Sequence, residues 1–275
     1  MTHVVLIAGP VRWDDRKGHH DYLAGCRLLA DCLCWVPGVA ATVVANGWPE
    51  DDAAILDTAD AVVFYDGGNG KQQYLKNEKR VDTLHRLADR GVGLCFFHQA
   101  AVFPARWRRL GEQWLGAAYM PAFSARGHWR CRQSRLPAHD VFRGVTPWAL
   151  RDGWLNGFQF TDRDERITPL VHASRKSVDG NDASHRVSWF YDRQDGGVSF
   201  VFTGLDSHRA WHQAGLRRLI ANSVLWTAGL VPPGDQDFCT LDRKAIDGYR
   251  SQRAPLTAFL LNKIGKLLRR RRKSW

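Results

Sequence analysis

Histidines and carboxylates stand where the short apolar runs of this sequence stop. Asp14, Asp15, His19, His20 and Asp21 follow HVVLIAGP; Asp66, Gly67 and Gly68 follow AVVFY; His98 and Gln99 follow GLCFF; Asp206 and His208 follow VSFVFTG. Neutral imidazole ligates metals and also titrates near neutral pH, so such a set suits either a divalent metal site or general acid and base catalysis. No HxH or HExxH spacing makes the metal reading specific. Each histidine taken alone reads most plainly as a loop or cap residue, the reading adopted for His3, His85 and His172. His20, His98 and His208 differ because they share one expected edge of a sheet.

Other chemistries find less support. A nucleophile elbow needs Ser or Cys at a strand-to-helix turn, but Cys95 lies three residues before His98, inside the apolar run. DGGNGKQQ lacks the P-loop spacing, and no GxGxxG follows the first run, so nucleotide binding is not supported. Cys32-Leu33-Cys34 has no second pair at a distance suited to zinc.

The elements that must position these residues alternate. HVVLIAGP, GVAATVVANG, ADAVVFYDGG and GVGLCFF read as buried strands, because parallel strands covered on both faces give unbroken apolar runs. Helical spacing separates them in HHDYLAGCRLLADCLCWV and in NEKRVDTLHRLADRG, the latter closed by Gly91. Strand-helix alternation predicts an α/β fold, flavodoxin- or Rossmann-like, with a mostly parallel sheet and helices on both faces. Ligands of such sheets sit beyond the carboxyl ends of the strands. Residues 101–165 read as a loop-rich insertion over that edge. HRVSWFYD and GVSFVFTG form a hairpin, and residues 212–229 a last helix before Pro232 and Pro233. The expected organisation is a domain over 1–233, a linker over 234–254 and a tail over 255–275.

The net charge of +11 is unevenly placed: Lys263, Lys266, Arg269 to Arg272 and Lys273 put seven of those charges in a tail without acids. Apolar residues at 256, 259, 260, 264, 267 and 268 make that tail a basic amphipathic helix, suited to an anionic membrane surface or to a protein partner. Residues that read or stack on bases are missing there apart from Trp275, which argues against specific nucleic-acid binding. The six cysteines show no paired framework and read as free thiols in a reducing compartment, hence a cytoplasmic protein, with membrane-surface association through the tail as a variant. Twelve tryptophans, clustered with charged residues, suggest cleft walls or partly buried anchors.

In order along the chain, LIAGP, GHHDYLAGCRLLADCL, NGWPED, TADAVVFYDGG, RGVGLCFFHQA, FSARGHWRC, LPAHDVFRGVTPWALRDGW, DGGVSFVFTGLDSHRAWH and LRRLIANSVLWTAG resemble the ThuA-like (trehalose-utilisation) family. The resemblance implies a class I glutamine amidotransferase-like fold with His98 where an amidotransferase carries its nucleophilic cysteine, so amidotransferase activity is not expected. It implies a link to carbohydrate catabolism, including oxidised disaccharides, and carries polar positions onto His20, His98, His128, His139, Asp152 and His208. The chain departs from the family pattern: RDEWY is RDGWL here, so Gly153 replaces a glutamate, His-Pro is His139-Asp140, and GGHxH ends with Asp206 in place of a histidine.

Two readings follow. In the first, the protein is an enzyme of sugar-derived small molecules, a hydrolase or an isomerase-type catalyst. His98, His208, Asp152 and Asp206 are its acid/base groups, and His20, His98 and His208 hold a divalent metal, zinc first. His20, His128, His139, Gln99, Trp129 and Trp154 then bind substrate. In the second, the protein is a non-catalytic binding or scaffold protein that docks through residues 255–275. The oligomeric state has no signature in the sequence.

Overall fold

A computed structural model of the chain describes residues 1–10, 18–50, 53–68, 70–161, 164–176, 182–234 and 238–251. β1 (Thr2–Ala8) leads through the loop that carries His19 and His20 to α1 (Tyr22–Cys34), whose first turn is capped by the Asp21 carboxylate accepting from Ala24 N–H. β2 (Val39–Val44) and β3 (Ala61–Tyr65) follow, then α2 (Glu78–Asp89), capped by Asn77, and β4 (Gly93–Phe97). Every residue of β3 and β4 is buried. That is why their sequences show no alternation of apolar and polar residues.

α3 (Arg108–Leu115) ends on Gly116 in the left-handed region. Short β5 (Ala117–Ala118) precedes β6 (Ala125–Gln133) and β7 (Trp148–Asn156), and β8 (Gln159–Phe160) pairs back with β5. β9 (Ile167–Lys176), β10 (Asp182–Asp192) and β11 (Val198–Phe202) then lead to α4 (Ala214–Thr227) and α5 (Arg243–Gly248).

The seven-stranded sheet has the order β2-β1-β3-β4-β11-β10-β9. Its first five strands are parallel, and β10 runs antiparallel to both β11 and β9. One apolar core lies between the sheet and α1 with α4, the other between the sheet and α2 with α3. This is the expected mostly parallel α/β fold with helices on both faces, and it brings the loops after β1, β3, β4 and β11 to one edge.

The insertion is more regular than expected. β6 and β7 form an antiparallel ribbon in continuous register, with His128 opposite Gly153 and Trp129 opposite Asp152. Alternation along β6 turns Arg126 and His128 to one face and buries Cys131 on the other.

The expected linker is in part a docked segment. Ile246 of α5 is buried, the Cys239 carbonyl accepts from Arg217 Nε at 2.9 Å, and Tyr249 Oη donates to Asp31 at 2.5 Å. Cys239 forms a disulfide with Cys32, which corrects the expectation of free thiols at these two positions. Cys26, Cys95 and Cys131 are free and buried, whereas Cys34 is free and exposed. The amphipathic tail and Asp14 and Asp15 lie outside the described residues. Among the described residues no helix is long and apolar enough to cross a membrane.

Candidate metal and catalytic centre

β4 ends at Phe97, and the chain turns at His98 into a short 3-10 segment, with His98 at a φ of 53°. A non-glycine residue in the left-handed region costs about 1–2 kcal/mol. It persists here between buried Phe97 and buried Ala100 and Ala101, and it turns the imidazole towards the Asp206 carboxylate. His20, at a φ of 52°, is turned in the same way at the mouth of α1.

The loop after β11 supplies the centre. Its three successive N–H groups, from Leu205, Asp206 and Ser207, all donate to the buried carboxylate of Asp152, at 2.8, 3.2 and 3.0 Å. Burial and the charge of Asp206 push the Asp152 carboxyl up to about 7, against those N–H groups. The Asp206 carbonyl accepts from His20 N–H at 2.9 Å, Gly18 accepts from His208 N–H, and Tyr65 Oη donates to the Leu205 carbonyl. Asp206 is thus fixed by main-chain contacts before its side chain is considered.

Four imidazoles meet its carboxylate. His20 Nε2 and His98 Nε2 lie 2.9 and 3.3 Å from Oδ1; His19 Nδ1 and His128 Nε2 each lie 2.9 Å from Oδ2. Burial alone would raise the Asp206 carboxyl, but the imidazoles of His19, His20 and His98 hold it far below the usual carboxylate range. Burial also lowers the His98 imidazole, against the pull of Asp206. Gly153 makes room: a Cβ there would lie 2.6 Å from Asp206 Oδ2 and 2.7 Å from its Cβ.

Gln99 orients this arrangement. Gly68 N–H donates to its Oε1 at 3.4 Å, which turns the amide nitrogen towards His20 Nε2 at 3.2 Å and His98 Nε2 at 3.4 Å. His98 Nδ1 meets the Thr203 carbonyl at 3.4 Å and, facing an acceptor, carries the proton. Once deprotonated, as metal ligation requires, both Nε2 atoms offer lone pairs beside Asp206 Oδ1. Three acceptors converging on one point make a cation site, and the His/His/Asp set matches the donors zinc takes. Gln99 also lines an adjoining pocket of about 440 Å³ with Arg108, Tyr119, Ser124 and Arg126.

The structure therefore brings His20, His98, Gln99, His128 and Asp206 together and leaves others apart. His208 Nε2 contacts the Ile246 carbonyl at 2.8 Å, facing α5, and takes no part in the two His/His/Asp groups around Asp206. His139 accepts from Val141 N–H through Nδ1 and stacks on Phe190. Trp154 is buried against Phe202, with its Nε1 donating to the Trp129 carbonyl, so it is core and walls no cleft. Trp129 is half-buried and packs against the same core. Asp152 positions the Asp206 loop from beneath, where its carboxylate is occupied by main-chain N–H groups. His19 belongs to the centre as well as His20, and the histidine doublet after the first strand is its signal in the sequence.

Solved structures share this fold. Structures of two ThuA-like proteins match it. The one from Parabacteroides merdae has a TM-score of 0.59 at 13% identity, covering 91% of this chain and 99% of its own. The one from Bacteroides uniformis has a TM-score of 0.55 at 11% identity, covering 82% and 91%. None of the curated proteins matches this chain. The chain belongs to the ThuA family, described as trehalose utilisation, whose family model matches residues 14–227.

Proposed function

We propose that the protein is an enzyme acting on a sugar or sugar-derived small molecule, with a divalent cation, zinc first, held by His20 Nε2, His98 Nε2 and Asp206 Oδ1. The observation that carries this reading is the convergence of two imidazole Nε2 atoms on one oxygen of a carboxylate whose main chain is held in place. A cation there polarises a carbonyl or acidifies a bound water. The chain supplies the rest. Arg126 and His128 share one face of β6, so substrate hydroxyls held in the pocket by Arg126 and Tyr119 lie on the same side of the ribbon as the imidazole that meets Asp206 Oδ2. His128 and His19 are the groups placed to move a proton there. Sugar chemistry is supported by the family description, and the adjoining pocket sets the Tyr119 hydroxyl and the Arg108 and Arg126 guanidiniums in a mostly apolar lining.

The scaffold reading rests on the replaced glutamate and on the basic tail, and the tail lies outside the described residues. The space a side chain would take at Gly153 is filled by the carboxylate of Asp206, so a carboxylate is still present at that place.

Metal analysis of the purified full chain tests the reading. The expected result is stoichiometric divalent metal that His98→Ala loses. Turnover of disaccharides or their oxidised forms disappears with it, and the melting temperature changes little. Absence of bound metal after incubation with zinc and desalting, in wild type and variant alike, overturns it.

A further inference from the structure

The Asp206 carboxylate is used from both ends, and its two oxygens have different partners. Oδ1 faces His20 and His98, and Oδ2 faces His19 and His128; each oxygen with its two imidazoles makes a group whose ligand atoms lie within 4.8 Å of one another. We propose that Asp206 bridges two divalent cations, one in each group, an inference that rests on the metal reading above and extends it from one ion to two.

The distances suit coordination. Zinc-ligand bonds of roughly 2.0–2.1 Å put two ligands of one ion about 2.9–3.4 Å apart at angles between square and tetrahedral. The four nitrogen-oxygen separations, 2.9 Å three times and 3.3 Å once, fall in that range. Paired ions in hydrolytic sites stand about 3.5–4 Å apart, a span that a carboxylate bridging through both oxygens sets. The ring centroids of His20 and His98 are 5.3 Å apart and those of His19 and His128 6.0 Å, while His19 and His20 diverge to 6.5 Å, so the imidazoles separate into two sets.

The two positions are not equivalent. The His20 and His98 side chains are 15% and 3% exposed, and those of His19 and His128 are 26% and 57% exposed. The Oδ1 position is therefore the inner, tighter one, built on strand-end loops. The Oδ2 position is outer and takes one ligand from the β6 strand, on the face shared with Arg126 and the pocket. A cation there ties the ribbon to the sheet edge and faces incoming ligand. Two dications around one bridging carboxylate leave an excess of positive charge, which an oxygen-rich ligand offsets. The ligand class that fits is one with two adjacent oxygens, a vicinal diol or hydroxyketone, one oxygen to each ion.

The test is metal titration of the chelated full chain with Mn²⁺, read by elemental analysis after desalting and by electron paramagnetic resonance. The expected result is two equivalents with an exchange-coupled spectrum in wild type. The exposed variant His128→Ala then keeps one equivalent with an uncoupled spectrum. One equivalent in both proteins overturns the bridge and leaves the single-ion reading standing. None in either overturns both. Two equivalents retained in His128→Ala overturn the outer site as assigned.

Discussion

Replacing Gly153 by alanine is the sharpest single perturbation of the centre. Gly153 has extended backbone that alanine adopts without strain, so from chain entropy alone the substitution stabilises by about 0.4–1 kcal/mol. The structure predicts the opposite sign. The new Cβ meets Asp206 Oδ2 at 2.6 Å and Asp206 Cβ and Cγ at 2.7 Å, against 3.4 Å for ordinary contact. Neither partner has room to retreat. Gly153 is paired to His128 across the ribbon, and the Asp206 main chain is held by Asp152 and by His20 N–H. Overpacking of this kind costs about 1–3 kcal/mol, which at this chain length lowers the melting temperature by about 2–10 °C. Relief by displacement of the Asp206 carboxylate takes its oxygens out of reach of some of the four imidazoles, so metal content falls as well. Calorimetry and metal analysis of the same sample read both effects. A Gly153→Ala protein with unchanged or higher melting temperature and full metal content refutes the reasoning.

Three further outcomes are expected. Burial lowers the His139 imidazole, against Asp140, and its Nδ1 must stay unprotonated to accept from Val141 N–H. A base depressed in the folded state contributes stability that is present above the unfolded histidine value, roughly pH 6.5, and is lost as pH falls through its folded value. The acid limb of a stability-pH profile is therefore shallower in His139→Asn, by urea unfolding across pH 5 to 8. In native protein at pH 8 a thiol reagent labels Cys34 and spares Cys95 and Cys131, whose thiols burial pushes up to about 12. Reduction of Cys32–Cys239, which closes a sequence separation of 207 residues, removes about 5 kcal/mol by loop entropy and lowers the melting temperature by about 10 °C or more.

The strands were legible because burial on both faces leaves its mark on every residue: AVVFY and GLCFF admit no polar position. His98 and Asp206 were legible with them, as the first polar groups beyond such runs. His208 was not, because the chain enters a 3-10 turn at that residue, and two positions after Asp206 no longer means the same face. His128 reaches the centre through an antiparallel pairing with β7, and a ribbon's partner strand has no local signature. The alternation of ARGHWRCRQ was the available sign that Arg126 and His128 act together. The disulfide joins residues too far apart for spacing to suggest it. The sequence shows Gly153 in place of a carboxylate but not that the room left there is taken by Asp206, because space is shared between positions far apart in the chain.

The continuous pairing of β6 with β7 also sets how this protein is free to change length. Sliding β6 by one residue turns Trp129 and Cys131 outward and carries His128 away from Asp206, because side chains alternate along a strand. Sliding it by two restores the faces but moves a different residue, Arg126 or Arg130, into the place of His128. Natural relatives that keep this centre are therefore free to lengthen or shorten the turn before Ala125 and the stretch between Gln133 and Trp148, but not β6 itself. An aligned gap inside the strand marks a protein that has given up the outer half of its centre.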